Sequence, residues 1–264
     1  MDKIYKLYAH LFGRVIFIKL NRFLYHLSLR GLGILNYQNE YLTGEKTWLK
    51  KYLKDKKNPL IIDVGANVGN YSKMILSVNQ GVKILAFEPH PITFKKLISN
   101  INSANFQAFN FGASHSKGNL KLYDYESNDG SQHASIFVNV IKDLHKKQVI
   151  SHEVEIISLD DFLTKKNIFE VDLLKIDTEG NEYNVLVGLK SFIAERKIKA
   201  IHFEFNEMNI ISKSTFKDFW DFLSGYNFYR LLPGGKLLPI KDYSPILTEI
   251  YAFQNIIAIL EKDK

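Results

Sequence analysis

The chain has no cysteine. That excludes disulfides, cysteine-ligated zinc and a thiol nucleophile, and it fits a reducing compartment. No uncharged apolar run approaches the ~20 residues that a membrane-spanning helix needs, and the first residues lack a signal-peptide core and a small-residue cleavage site. Excess charge is missing from most of the chain. The first 57 residues hold twelve Lys and Arg against four Asp and Glu; from totals of 35 and 28, this leaves 23 against 24 for the rest. The net +7 therefore belongs to the N-terminal segment, so a nucleic-acid groove in the core is disfavoured and a basic arm near an anionic surface fits better.

What is present is a core. At 264 residues with 46% hydrophobic content, the chain suits one α/β domain with small additions. Residues 60–71, Leu-Ile-Ile-Asp-Val-Gly-Ala-Asn-Val-Gly-Asn-Tyr, read as a short β-branched strand that enters a helix over 70–78 through a glycine turn. Glycine supplies positive φ and room for a ligand against the backbone, and the helix start offers unpaired N–H groups. This is a nucleotide-type cofactor site at a strand's carboxyl end. The spacing D-x-G-x-x-x-G, with Asp63, Gly65, Asn67 and Gly69, lacks the second glycine that cradles a pyrophosphate in G-x-G-x-x-G. Asp63 would repel a phosphate and attract a cation. S-adenosylmethionine has no phosphate and carries an ammonium and a sulfonium. Glu88, after a strand over 83–87, falls where it would grip the ribose hydroxyls of an adenosine ligand. A strand over 106–110 ends in Asn110, and the turn that runs on through Gly112 and Ala113 would lie beside the purine.

Strand and helix signals then repeat: strands over 171–176, 200–205, 228–232 and 250–260, and helices over 91–101, 182–193 and 215–223, with a short helix opened by a Ser158–Asp161 cap. The expected fold is α/β: a Rossmann-like, doubly wound sheet, mostly parallel with an antiparallel last strand. Two additions are expected. Residues 119–157 read as an antiparallel β insertion forming a lid, and residues 1–57 as a basic helical extension before a domain over 58–264. Apolar residues recur at roughly helical spacing over 4–29, punctuated by Lys6, Arg14, Lys19, Arg22 and Arg30. Such a helix can pack on the domain or a second subunit, or rest on a membrane face through residues 1–35.

Two stretches, the Asp63–Asn70 turn and Asp172-Leu-Leu-Lys-Ile-Asp-Thr-Glu-Gly-Asn-Glu182 with Leu186 and Gly188, resemble the FkbM-type methyltransferases, as does Ser158-Leu-Asp-Asp161. The resemblance covers about residues 40–260. It implies an S-adenosylmethionine-dependent enzyme with the Rossmann-like methyltransferase sheet, usually an O-methyltransferase acting on sugars, glycans or polyketide-type hydroxyls. Bacterial relatives associate with surface-polysaccharide synthesis, which implies work in the cytoplasm, at or near the inner face of the membrane.

The carboxyl ends of the central strands would bring Asp63, Asp177, Glu179 and Glu204 to one crevice. An alcohol attacking a methyl group needs a partner for its proton, or a cation beside the developing alkoxide. Asp177 is the preferred base, with Glu179 and Glu204 next. Lys175 is a salt-bridge partner, an alkoxide stabiliser or, at lowered pKa, a base. Asp177 and Glu204 could instead ligate Mg2+. His133, in the insertion, and His202, on the face of Glu204, are the candidate substrate-side histidines. The segment after the fourth strand has no Asn/Asp-Pro-Pro-Tyr/Phe pattern, so amino and base methylation are disfavoured. Two rival readings remain: a non-catalytic subunit that docks a glycan-synthesis assembly at the membrane, and a nicotinamide oxidoreductase, against which the missing glycine counts.

Overall fold

The computed structural model of the protein describes residues 2–125, 134–144 and 146–261. Its N-terminal part is helical: α1 (Asp2–Phe12), α2 (Ile18–Gly31), α3 (Glu40–Thr43) and α4 (Glu45–Leu53). The helix read over 4–29 is broken. Gly13, a poor helix former, and the extended Arg14 (φ −129°, ψ 150°) separate α1 from a short 3-10 turn at Val15–Phe17, from which α2 departs. α4 sinks Trp48, Leu49 and Leu53 into the core.

From Leu60 the chain alternates: β1 (Leu60–Val64), α5 (Asn70–Val78), β2 (Lys83–Phe87), α6 (Pro91–Asn100) and β3 (Phe106–Phe109). After β4 (Gly112–Ala113), β5 (Gly118–Tyr125), β6 (Val149–Ile157) and α7 (Leu159–Lys165) come β7 (Leu173–Ile176), α8 (Glu182–Val187), α9 (Lys190–Ala194) and β8 (Ala200–Phe205). The sheet closes with β9 (Tyr226–Leu232), β10 (Lys236–Ile240) and β11 (Gln254–Leu260).

Eight strands form the main sheet in the order β10-β9-β11-β8-β7-β1-β2-β3. β3, β2, β1, β7 and β8 are parallel. β11 inserts antiparallel between β8 and β9, as a last strand should. β10 is an antiparallel edge that sequence reading missed. It contains Pro239, which an edge strand tolerates because no ladder donor is needed on the open side. The insertion forms a second sheet, β4-β6-β5, with β5 and β6 antiparallel over eight residue pairs.

Two apolar clusters cover the two faces of the main sheet. Ile62, Val64, Leu174 and Ile176 point into one, and Ile61 and Leu173 into the other. Side chains alternate along a strand, so Asp63 shares the face of Ile61, and Lys175 that of Leu173. Register then sets Asp63 beside Lys175 and Lys175 beside His202. A polar row crosses the sheet beneath α4 and α5. Further along, the helix read over 182–193 is interrupted at Gly188, where a Cβ would meet the Ser114 carbonyl oxygen at 2.1 Å. Ser158 is not a side-chain cap: its hydroxyl donates to the Gly188 carbonyl, and Asp160 accepts from the N–H groups of Ser191 and Phe192.

Candidate active site

At the carboxyl ends of β1, β2, β7 and β8 lies a cavity of about 840 Å³. Its walls include Asp63, Gly65, Asn67, Glu88, Gly112, Ala113, Lys175, Asp177, Glu179 and Glu204. Ten of the residues expected at the site are therefore brought together.

The turn after β1 is built by contact. Gly65 has φ +77°, and a Cβ there would stand 1.7 Å from the Asp177 carbonyl oxygen, so no side chain fits where β1 passes β7. The Gly65 and Ala66 N–H groups donate to the Phe87 carbonyl, which ties the turn to β2. Glu88 then locks two turns at once: Oε2 accepts from the Asn67 N–H and Oε1 from the His90 N–H, both at 2.8 Å. Burial pushes its carboxyl up to about 7, against the pull of those two N–H groups. Asp63 accepts from the Ser72 hydroxyl at 2.6 Å, and burial pushes it to about 6. Gly69 does not line the cavity. With φ +89° it starts α5, packed against Leu97 and Ile101.

Asn110 also lies off the wall. Its amide nitrogen donates to the carbonyls of Glu88 (2.8 Å) and Pro89 (3.0 Å), so the side chain shapes the turn after β2 and does not point at a ligand. Gly112 and Ala113 do line the cavity, at the root of the second sheet.

The opposite end of the cavity is acidic around one buried cation. Lys175 is 2% exposed, and its Nζ lies 3.6 Å from Asp177 Oδ2 and 4.0 Å from Glu204 Oε1. Among the described residues no acceptor lies within hydrogen-bonding distance of it. Burial opposes its charge, but Asp177, Glu204, Glu45 and Asp63 together outweigh burial and raise its pKa. Lys175 is thus an ammonium ion, not a base. Burial and the nearby Asp177 hold the Glu204 carboxyl well above the usual carboxylate range. Asp177 and Glu204, expected as a metal-ligand pair, flank this ammonium, which fills the position of a cation. Among the described residues no group of three His, Cys, Asp or Glu side chains could hold a metal ion.

His202 is not a substrate residue in this geometry. It is fully buried, with Nδ1 2.9 Å from the Tyr71 hydroxyl and Nε2 2.8 Å from Asn255 Oδ1. The Asn255 oxygen assigns the proton to Nε2, so Tyr71 donates to Nδ1. Burial, then Lys175, hold the ring well below its ordinary pKa, and it stays neutral. His202 orients Tyr71, whose ring lies 5.5 Å from Lys175 Nζ. His133 lies outside the described residues.

Sequence reasoning missed several wall residues. Tyr71 sits one residue into α5, and its place directly after the glycine turn was a usable signal. Leu35, Tyr37 and Glu45 come from the N-terminal segment and Phe253 from the approach to β11. Nothing local marks those four. Glu182 holds the acidic loop from beneath: its Oε1 accepts from the Thr178 N–H, the Thr178 hydroxyl and the Gly180 N–H at 2.9–3.1 Å. Ser135, in the insertion, donates to the Glu179 carbonyl at 2.7 Å, which ties the insertion to that loop.

Comparison with known proteins covers the same elements. A model of the methyltransferase FkbM domain matches residues 63–229, from the end of β1 into β9. Methyltransferase 1 of Beauveria bassiana is 33% identical over 143 residues, 49% of this chain and 57% of that protein. The 2-O-methyltransferase NoeI of Sinorhizobium fredii is 21% identical over 166 residues, 60% of this chain and 68% of that one. The hexuronic acid methyltransferase AglP of Haloferax volcanii is 28% identical over 152 residues, 56% of this chain and 57% of that one. The chain spans somewhat over half the length of most of these curated relatives. The domain match extends over more than half of the chain and includes both the glycine turn and the acidic loop, and the chain belongs to the FkbM methyltransferase family.

Proposed function

We propose that the protein is an S-adenosylmethionine-dependent O-methyltransferase acting on a hydroxyl of a sugar, glycan or related natural product. The observation that carries this reading is Lys175: a buried ammonium without a hydrogen-bond acceptor among the described residues, facing the same cavity as Asp63 and Glu88.

The residues fit the cofactor. Two buried carboxyls and a turn without the phosphate-cradling glycine suit a phosphate-free cationic nucleoside. Glu88 would hold the ribose hydroxyls, and Asp63 would favour positive charge near the turn. Gly65 gives the ligand backbone to lie against. S-adenosylmethionine, when bound, supplies an electrophilic methyl group on its sulfonium. The chain's own residues do the rest. Lys175 would stabilise the oxygen as it develops negative charge, a preorganised role in a water-poor site. Asp177, beside it, would accept the hydroxyl proton. Glu45, Glu179 and Glu207 join Asp177 and Glu204 on the cavity wall, and carboxylates accept hydrogen bonds from the several hydroxyls of a sugar. One relative is named as a 2-O-methyltransferase and another as a hexuronic acid methyltransferase, which supports oxygen and sugar as the acceptor chemistry.

The test is transfer of an isotopically labelled methyl group to a panel of free sugars, nucleotide sugars and lipid-linked sugars. The expected product keeps its label through alkaline hydrolysis, as a methyl ether does and a methyl ester does not. Asp177→Asn should lower turnover by about 10²–10⁴ while calorimetry finds S-adenosylhomocysteine binding unchanged. Label on an amine or carboxyl, or full turnover by the variant, would overturn the reading.

A further inference from the structure

α1 and α2 present an unusual surface. α1 buries no residue, and α2 buries only Leu29. Ile4, Leu7, Tyr8 and Leu11 recur at helical spacing along one exposed stripe, and Leu20, Phe23, Leu24 and Leu27 along another. Between the helices, Val15 and Ile16 stand 88% and 81% exposed. Beside the apolar stripes run basic ones, Lys3, Lys6 and His10 on α1, and Lys19, Arg22, His26 and Arg30 on α2. Over residues 2–31 the six Lys and Arg (Lys3, Lys6, Arg14, Lys19, Arg22, Arg30) face one acid, Asp2, for a net +5. The pair is held in shape: Tyr8 donates to Asn21 Oδ1 at 2.6 Å, Asn21 donates to the Phe12 carbonyl at 2.9 Å, and the Phe12 and Phe17 rings meet edge to face.

We propose that α1 and α2 form a docking element for an anionic lipid bilayer, with the apolar stripes set among the acyl chains and the basic stripes on the headgroups. Charge complementarity selects this occupant. A two-fold contact between copies would bring two +5 segments together, whereas an anionic membrane neutralises them and accepts the apolar side chains. Among the described residues no helix is long and apolar enough to cross a membrane, so the contact is peripheral. The element also leads directly to the cavity. After α2, Ile34 bridges to Gln254, and the Leu35 N–H donates to the Phe253 carbonyl at 2.7 Å. Leu35, Tyr37 and Phe253 then line the cavity. Docking would set that wall next to the membrane surface, where a lipid-carried acceptor would be delivered.

The experiment is flotation of the full chain with vesicles of phosphatidylcholine alone or of phosphatidylcholine and phosphatidylglycerol at three to one. The protein should float with the anionic vesicles at least about tenfold more than with neutral ones, and raised salt should weaken this. Phe23→Glu with Leu24→Glu changes two side chains that are 57% and 41% exposed, so its melting temperature should match wild type while flotation falls at least about tenfold. No flotation, or flotation indifferent to the double variant, overturns the proposal. So does a dimer in sedimentation that the double variant dissociates while the vesicles stay bare. The vesicle readout does not depend on methyl transfer, so it stands or falls apart from the catalytic reading.

Discussion

Glu88→Gln isolates the cofactor end of the cavity through its pH dependence. Burial pushes the Glu88 carboxyl to about 7 from 4.5. Only the ionised form keeps a free lone pair on both oxygens for ribose hydroxyls beside the bonds from Asn67 and His90, and the apparent affinity scales with the competent fraction. For a group at about 7, that fraction is about 3% at pH 5.5 and about 76% at pH 7.5, so S-adenosylhomocysteine should bind about 25-fold more tightly at the higher pH. Asp63, at about 6, can steepen this by up to about fourfold. Stability runs the other way. A raised folded pKa contributes stability below the unfolded pKa, and this is lost as pH rises through the folded value. Glu88 therefore costs the fold about 3 kcal/mol between pH 4.5 and pH 7.5. In Glu88→Gln the charge is gone and one of the N–H groups of Asn67 and His90 loses its acceptor. Calorimetric titration at pH 7.5 should then show roughly 30-fold weaker binding, with a pH slope no steeper than the fourfold left to Asp63. A variant that keeps the 25-fold slope, or a wild type with none, would refute Glu88 as the group that grips the ligand.

Other substitutions read other parts of the site. Gly65→Ala meets both a positive φ and the Asp177 carbonyl at 1.7 Å, so it should destabilise the fold by at least about 3 kcal/mol, seen as a melting shift; an unchanged melt would refute the close packing of β1 on β7. Lys175→Met removes the ammonium beside Asp177 and Glu204. Turnover should fall by about 10²–10³, by more than cofactor affinity falls; equal losses in both would make Lys175 a folding residue.

Several features were legible in the sequence because they are local. A β-branched run, a glycine turn and a helix start are fixed by neighbours a few residues apart, so the strands 60–64 and 83–87 and the helix 70–78 were readable. Parity along a strand put Lys175 on the same side as Asp177, and the structure keeps both on the cavity wall. Side-chain direction at a turn was not readable. Asn110 follows a strand as a ligand-facing residue would, yet it spends its amide on two carbonyls. His202 alternates with Glu204, yet Tyr71, Trp48 and Asn255 enclose it.

What the sequence determined by itself was the alternation of elements and the chemistry arriving at strand ends, since periodicity and turn residues act over short separations. The tertiary structure decided which charges meet. Register sets Asp63, Lys175 and His202 in one row, and long-range packing brings Glu45, Leu35 and Tyr37 to a wall more than a hundred residues away in sequence from Lys175. Burial then decides protonation: removing water from around Glu88 and Glu204 raises their pKa values, while neighbouring carboxylates keep Lys175 charged. Residue identity sets only the starting value of each group, because desolvation and Coulombic coupling depend on distances that exist only in the folded chain.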